Sequence, residues 1–366
     1  MTEPRTIRSL GVAAPGEAAF FTYEEAPPRA GEFRLETLYT GLSAGTELTF
    51  FKGTNPYLHS RWDPEFGVFR PGERGAHYPV RFLGYMEVGR VVESRSDAVQ
   101  VGEVLGMSYG HKTGHTASGN DFFVRLGDLD PLVGIYAAQM GPICVNGLLH
   151  AAAEFCGENV KELGDGVRGR RVLVTGGGVV GLLTGLLARI HGAAEVTLAD
   201  RTPQRLEAAR ALGLTPLDER VTEAGEWCKA HWVHGPGDRG ADLVLQCRGQ
   251  AASLQTALRA LRPQGSVIDL AFYQGGAPEV RLGEEFHHNG LTIRCAQIGR
   301  VPRGLAATWD RHRLARETLD LLRGCGDLIR ETLITDIVPF GDVPAFLAEL
   351  AARQRHAIQA VFRVGG

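Results

Sequence analysis

Residues 172–181 limit what this chain can fold into more than any other stretch: Val-Leu-Val-Thr-Gly-Gly-Gly-Val-Val-Gly. An apolar run of strand length ends in spaced glycines, Gly176, Gly178 and Gly181, and an apolar run of helical length, 179–191, follows. Strand, Gly-x-Gly-x-x-Gly turn and helix in that order are the fingerprint of a dinucleotide-binding βαβ unit. Gly176 permits the tight turn, Gly178 lets a pyrophosphate approach the backbone, and Gly181 lets the helix pack against the strand. The N–H groups of the helix start, around Val179 and Val180, then face the phosphates together with the helix dipole. The next expected strand, 195–200, ends at Asp200. A carboxylate there accepts hydrogen bonds from ribose hydroxyls and repels a 2′-phosphate, which favours NAD over NADP. Arg201 and Arg205 can each pair with such a phosphate, so NADP stays open.

The alternation continues, with helices expected at 203–212 and 253–261 and strands at 241–246 and 266–270. Such alternation gives a doubly wound parallel sheet covered on both faces. Before about residue 131 the texture differs. Short β segments such as 33–39, 88–92 and 102–105, bounded by glycines, read as a β-rich domain. A helix is expected at 146–163 and another at 309–322. A strand at 333–338, a helix at 342–353 capped by Asp342 and a last strand at 359–364 follow. These final elements are too few for a domain and should return to the β-rich region. The expected division is a discontinuous domain of 1–147 with 301–366, and a dinucleotide-binding domain of 148–300.

Composition narrows the function class. A length of 366 residues exceeds one ordinary core. With 39 basic and 42 acidic residues and no basic block, nucleic acid is not an expected partner. No apolar run reaches the roughly 18 residues of a membrane helix, and the first residues lack the apolar core of a secretory signal. The six cysteines are scattered, with no C-x-x-C pair, which reads as reduced thiols in a cytoplasmic protein.

On these residues, and on Asp200-Arg-Thr-Pro-Gln-Arg205, Asp242-Leu-Val-Leu-Gln-Cys-Arg-Gly249 and Leu261-Arg-Pro-Gln-Gly265, the chain resembles the medium-chain dehydrogenase/reductase superfamily over nearly its whole length. The resemblance implies a GroES-like β-rich catalytic domain and a Rossmann domain. It also implies that Cys247, Ala271, Phe272 and Tyr273 lie along the cofactor, and that 291–295 pairs subunits of a homodimer. Zinc-dependent members carry a Cys-Gly-Thr-Asp motif and a Gly-His-Glu motif. Here the matching runs are Ser43-Ala-Gly-Thr-Glu47 and Gly84-Tyr-Met-Glu87. Ala44, Tyr85 and Met86 thus stand at ligand positions, and the four-cysteine structural lobe has no counterpart. No zinc is therefore expected. Among zinc-free relatives, 41–47, 83–85 and 272–273 are locally similar to bacteriochlorophyllide dehydrogenase-type proteins, which points to alcohol oxidation.

Without a Lewis acid, hydrogen-bond donors must stabilise the oxygen whose charge changes. The resemblance makes Thr46 a relay hydroxyl. Tyr85 either binds the oxygen or fills a vacated metal cavity. In Gly110-His-Lys-Thr-Gly-His115, His111 or His115 can donate a proton, hold a metal or stand as a solvated loop residue. His150 reads as a packed, hydrogen-bonded residue, His287 and His288 as a surface pair, and Cys144 and Cys247 as small core residues rather than nucleophiles. The long polar and aromatic stretch 52–78, with Tyr57 and Trp62, reads as the element that selects a small-molecule substrate. Three activities fit: hydride transfer between a nicotinamide and a secondary alcohol or ketone, reduction of an activated C=C bond, and NAD(H) binding without turnover.

Overall fold

The computed structural model describes residues 3–365. In chain order the first stretch gives β1 (Arg5–Ala14), β2 (Glu17–Glu25), β3 (Glu32–Gly41), α1 (Ala44–Lys52), β4 (Ser60–Asp63), β5 (Val68–Pro71), β6 (Glu87–Ser94), β7 (Val104–Met107), β8 (Gly114–Ser118), β9 (Phe123–Arg125) and α2 (Pro131–Gly134). The middle gives α3 (Met140–Cys156), β10 (Arg171–Thr175), α4 (Val179–Ile190), β11 (Glu195–Asp200), α5 (Pro203–Ala211), β12 (Thr215–Asp218), α6 (Ala224–His231), β13 (Val233–Gly235), β14 (Asp238–Arg239), β15 (Ala241–Gln246), α7 (Ala251–Ala260), β16 (Leu261–Asp269), β17 (Thr292–Cys295) and α8 (Arg311–Leu333). The chain closes with β18 (Ile334–Pro339), α9 (Val343–Ala351) and β19 (Gln359–Arg363).

Two compact units result. The first comprises Met1–Gln139 with Ile334–Gly366, the second Met140–Leu333. The boundaries fall at 139/140 and 333/334 rather than at 147/148 and 300/301. Two helices move them. The helix expected at 146–163 runs from Met140, since Pro142 is tolerated in a first turn, and stops before Gly157, whose φ of 59° ends it. The helix expected to end near 322 continues through Gly324 and Gly326 to Leu333. Leu314, Thr318, Leu321, Leu322, Ile329 and Leu333 keep one face buried, and that packing outweighs the low helix propensity of glycine. Only β18, α9 and β19 therefore return to the first unit. Asp342 makes no side-chain cap for α9; a 3₁₀ turn, Phe340–Asp342, leads into the helix instead.

The first unit is built on a seven-stranded sheet ordered β18-β19-β3-β6-β7-β9, with β8 also on β3. All pairings are antiparallel except β18–β19. Leu10, Val12, Phe51, Val338, Phe346 and Phe362 form one apolar cluster, and Phe33, Leu35, Val91, Leu105 and Met107 form another. Each such side chain, fully buried, contributes about 1.5–3 kcal/mol. The stretch 52–78 is not a plain loop. Its β4–β5 hairpin pairs Trp62 with Phe69 and Arg61 with Arg70.

The second unit carries a six-stranded parallel sheet ordered β12-β11-β10-β15-β16-β17. The order reverses between β10 and β15, and ligands of such sheets bind outside the carboxyl ends of the strands at that reversal. The strands are buried on both faces, as their apolar runs require. No helix among the described residues is long and apolar enough to cross a membrane.

Candidate active site

The turn after β10 has the shape a dinucleotide needs. Gly176 adopts φ 95°, which a residue with a Cβ rarely does. A Cβ at Gly181 would collide with the carbonyl oxygen of Gly176, while nothing lies within 4 Å of one at Gly178. The glycines thus close the helix onto the turn and leave an open cradle at its mouth. Gly178 caps α4 without any side-chain hydrogen bond, so the helix start keeps donors for an anion. These residues fit a pyrophosphate.

Asp200 ends β11 beside this turn. Its Oδ2 accepts from the Gly177 N–H at 2.7 Å, and its Oδ1 from the N–H groups of Arg201 and Thr202 at 2.7 and 2.8 Å. Arg205 stands 3.6 Å away and Arg248 3.4 Å. Burial pushes the Asp200 carboxyl up, but the Gly177 N–H, Arg205, the Thr202 N–H and Arg248 outweigh it and hold it below the usual carboxylate range. Arg248 is a residue that spacing alone does not single out.

Beyond β15 and β16 a buried polar network replaces apolar packing. The Gln246 amide oxygen accepts from the hydroxyls of Thr175 and Ser253, and its amide nitrogen donates to the Tyr273 hydroxyl at 3.1 Å. Tyr273 in turn donates to Asp269 at 2.9 Å, and the Ala271 N–H donates to the same carboxylate. Burial raises the Asp269 carboxyl. Tyr273 therefore points its hydroxyl into the unit, whereas Phe272 is exposed. Cys144 is buried near the Val180 carbonyl, 3.7 Å away, and burial pushes its thiol up to about 12; Cys247 is raised by the same cause. Thiols so raised are poor nucleophiles. His150 is buried and set against the Arg300 carbonyl at 3.2 Å, and His287 and His288 are exposed.

The first unit gathers a second polar group. Ser43 sits at the N-cap of α1, yet its hydroxyl makes no cap. It is hydrogen-bonded to the Tyr85 hydroxyl instead. The Ser43 N–H donates to Glu47 at 2.7 Å, so the carboxylate takes over the capping of α1. The other Glu47 oxygen meets His111 Nε2 at 2.7 Å, and His111 Nδ1 meets the Thr40 hydroxyl at 2.8 Å. His111 also packs under Gly84 (φ 91°), where a Cβ would lie 2.9 Å from its ring. One buried chain, Thr40–His111–Glu47, thereby braces the backbone of Ser43 on one side and of Gly84-Tyr85 on the other.

That placement corrects the reading of His111 as a proton donor to a bound molecule. The side chain is fully buried with both ring nitrogens engaged, so it acts through Glu47 and Gly84. His115 is not a solvated loop residue either. It is buried, stacks on Tyr109 with centroids 3.7 Å apart, and stands 3.3 Å from Glu87. Both histidines lie outside any helix, and each belongs to a different carboxylate. Thr46, on the first turn of α1, is half-buried. Among the described residues no group of three or more His, Cys, Asp or Glu stands close enough to hold a metal ion. At the positions matching zinc ligands, Ala44 and Met86 have no donor for zinc and the Tyr85 hydroxyl is bonded to Ser43. The donor set does not fit a catalytic zinc.

The chain is similar to known dehydrogenases over most of its length. Residues 179–311 match the zinc-binding dehydrogenase family. D-guloside 3-dehydrogenase of Escherichia coli is 28% identical over 349 residues, 92% of this chain and 94% of that one. Human sorbitol dehydrogenase is 31% identical over 100 residues, 27% of this chain and 28% of that one. Among solved structures, 2R,3R-butanediol dehydrogenase of Bacillus subtilis superposes with a TM-score of 0.71 at 15% identity, covering 98% of this chain and 99% of that one. A zinc-binding dehydrogenase from Sinorhizobium meliloti bound to NADP gives 0.71 at 18% identity with the same coverage.

Proposed function

We propose that the chain is an NAD(P)-linked dehydrogenase of the medium-chain, zinc-type superfamily that oxidises a secondary hydroxyl of a sugar or polyol derivative without a catalytic metal; its similarity to dehydrogenases of that type supports this. The observation that carries this reading is the Ser43–Tyr85 hydroxyl pair standing where a metal site would be built. The relatives named for a guloside and for sorbitol support a polyhydroxylated substrate. The local likeness to bacteriochlorophyllide dehydrogenase-type proteins supports alcohol oxidation.

Gly176, Gly178, Val179, Val180 and Gly181 hold the pyrophosphate, and Asp200 takes the ribose hydroxyls of NAD. The bound nicotinamide supplies the hydride acceptor. On the protein side, the Ser43–Tyr85 hydroxyl pair is the group that meets the substrate oxygen. As the C–H bond breaks and its electron pair leaves with the hydride, the substrate O–H proton passes to this pair while the pair gives up one of its own protons to solvent water, with Thr46 as the relay hydroxyl that the family resemblance implies, so that the pair stays neutral and the ketone is released. In the reducing direction the same donor stabilises negative charge on the carbonyl oxygen. Glu47 and His111 position the pair and touch no substrate. The β4–β5 hairpin, with Tyr57, Trp62, Phe66 and Phe69 exposed and Arg61–Glu73 and Arg70–Asp63 pairs beside them, selects the substrate. The homodimer reading rests on β17, which ends the six-stranded sheet as an edge strand.

The test pairs elemental analysis of the purified protein with a turnover panel of glycosides, polyols and enones in the presence of NAD. Turnover of secondary hydroxyls with no stoichiometric metal supports the reading. Turnover of enones alone assigns C=C reduction, binding without turnover assigns a non-catalytic role, and about one zinc per chain overturns the metal-free mechanism.

A further inference from the structure

Arg248 occupies an unusual place. It follows the end of β15, on one side of the reversal in strand order, and its Cβ lies 3.0 Å from where a Cβ of Gly176 would be. From there the side chain reaches across the mouth of the fingerprint turn. Nη1 donates to Glu219 at 2.8 Å, and Nη2 to Asp200 and to the Ala199 carbonyl, each at 3.4 Å. Glu219 follows β12, and its N–H donates to the Asp200 carbonyl at 3.1 Å. Arg248 therefore links the end of β15 to the ends of β11 and β12 across the turn.

The charges paired here are two guanidinium groups, of Arg205 and Arg248, against two carboxylates, Asp200 and Glu219. Neighbouring Asp218 and Arg220 neutralise each other at 2.6 Å. An unopposed acid at the end of the second strand excludes a 2′-phosphate. This acid is opposed, from within by N–H groups and from outside by Arg205 and Arg248. A guanidinium also offers the fork of donors that phosphate oxygens accept.

We propose that Arg248, held across the fingerprint turn by Glu219, is a cofactor-discriminating residue that lets the chain bind the 2′-phosphate of NADP(H) as well as the ribose of NAD(H). The proposal rests on the cofactor assignment above and goes beyond the NAD preference that Asp200 alone implies. Glu219 acts as the tether. It holds the guanidinium away from the phosphate until a dinucleotide enters, and its own charge opposes the phosphate.

The experiment is a fluorescence titration of the full chain and two variants with NADH and with NADPH. Wild type binds NADPH within about tenfold of NADH; Arg248→Ala weakens NADPH by about tenfold more than NADH; Glu219→Gln tightens NADPH by about threefold and leaves NADH nearly unchanged. The opposite signs separate this role from general damage, and Glu219→Gln carries the test if Arg248→Ala fails to fold. An NADPH/NADH affinity ratio that neither variant moves, or that both move in one direction, overturns the proposal. Loss of both ligands from the wild type overturns the cofactor assignment itself, a result distinct from an unmoved ratio.

Discussion

The two units reach their chemistry by opposite routes. In the second, the groups proposed to meet a cofactor are mostly backbone: three glycines, a helix start and one carboxylate within 25 residues of sequence. In the first, the candidate site is built from side chains of four separate segments, with Thr40 at the end of β3, Ser43 and Glu47 about α1, Tyr85 before β6 and His111 before β8. A site made of backbone tolerates many side chains but no added Cβ at its glycines. A site made of side chains tolerates backbone variation but depends on every partner in the chain of hydrogen bonds.

The sharpest way to break this contrast is Gly181→Val. The new side chain must displace the Gly176 carbonyl, which is backbone and cannot rotate away. NADH affinity falls by about a hundredfold or more, read by fluorescence titration, and Tm falls with it. Retained affinity would show that the turn has a second workable conformation. Next in size is Tyr85→Phe. It removes the hydroxyl bonded to Ser43 and lowers kcat by about a hundredfold, while NADH affinity stays within about twofold. A loss of NADH binding in this variant would dissolve the division of labour between the units.

The smallest effect concerns pH. The Asp200 carboxyl ionises at a lower pH in the folded chain than in the unfolded one. Its stabilisation is therefore complete above about pH 4, the unfolded value, and is lost as pH falls through the lower folded value. Thermal melts of wild type and Asp200→Asn should differ at neutral pH, draw together as pH falls below about 4, and converge once it has passed the lower folded value. A gap that persists at lower pH assigns the linkage to another group.

The contrast also explains what the sequence disclosed. Strands β11, β15, β18 and β19 lie within a residue of their expected bounds, since each is a short β-rich run between turn residues. The fingerprint and Asp200 are local in sequence, so spacing suffices to find them. Arg248 is not, because its carboxylate partners lie 29 and 48 residues away. Glu47 sits in full view within Gly45-Thr-Glu47, but His111, 64 residues on, gives it its role, and long-range pairings such as β3–β8 bring the two regions together. A hydroxyl at Ser43 beside an absent ligand was the available clue to the pair with Tyr85. The length of α8 was hidden by two glycines that burial on one face overrides.

The path of the chain through its sheets has a consequence for biosynthesis. Every strand of the parallel sheet comes from one uninterrupted stretch, so this unit has all its pairing partners once residue 333 has emerged from the ribosome. The antiparallel sheet has no such schedule. Its β3 pairs with β19, so strands made first wait, with an unsatisfied edge, for strands made last. During translation β3 needs shielding by a chaperone or by transient contacts, and a ribosome stalled late in the message would release a chain whose second unit has all its strands while the first lacks one flank of its sheet.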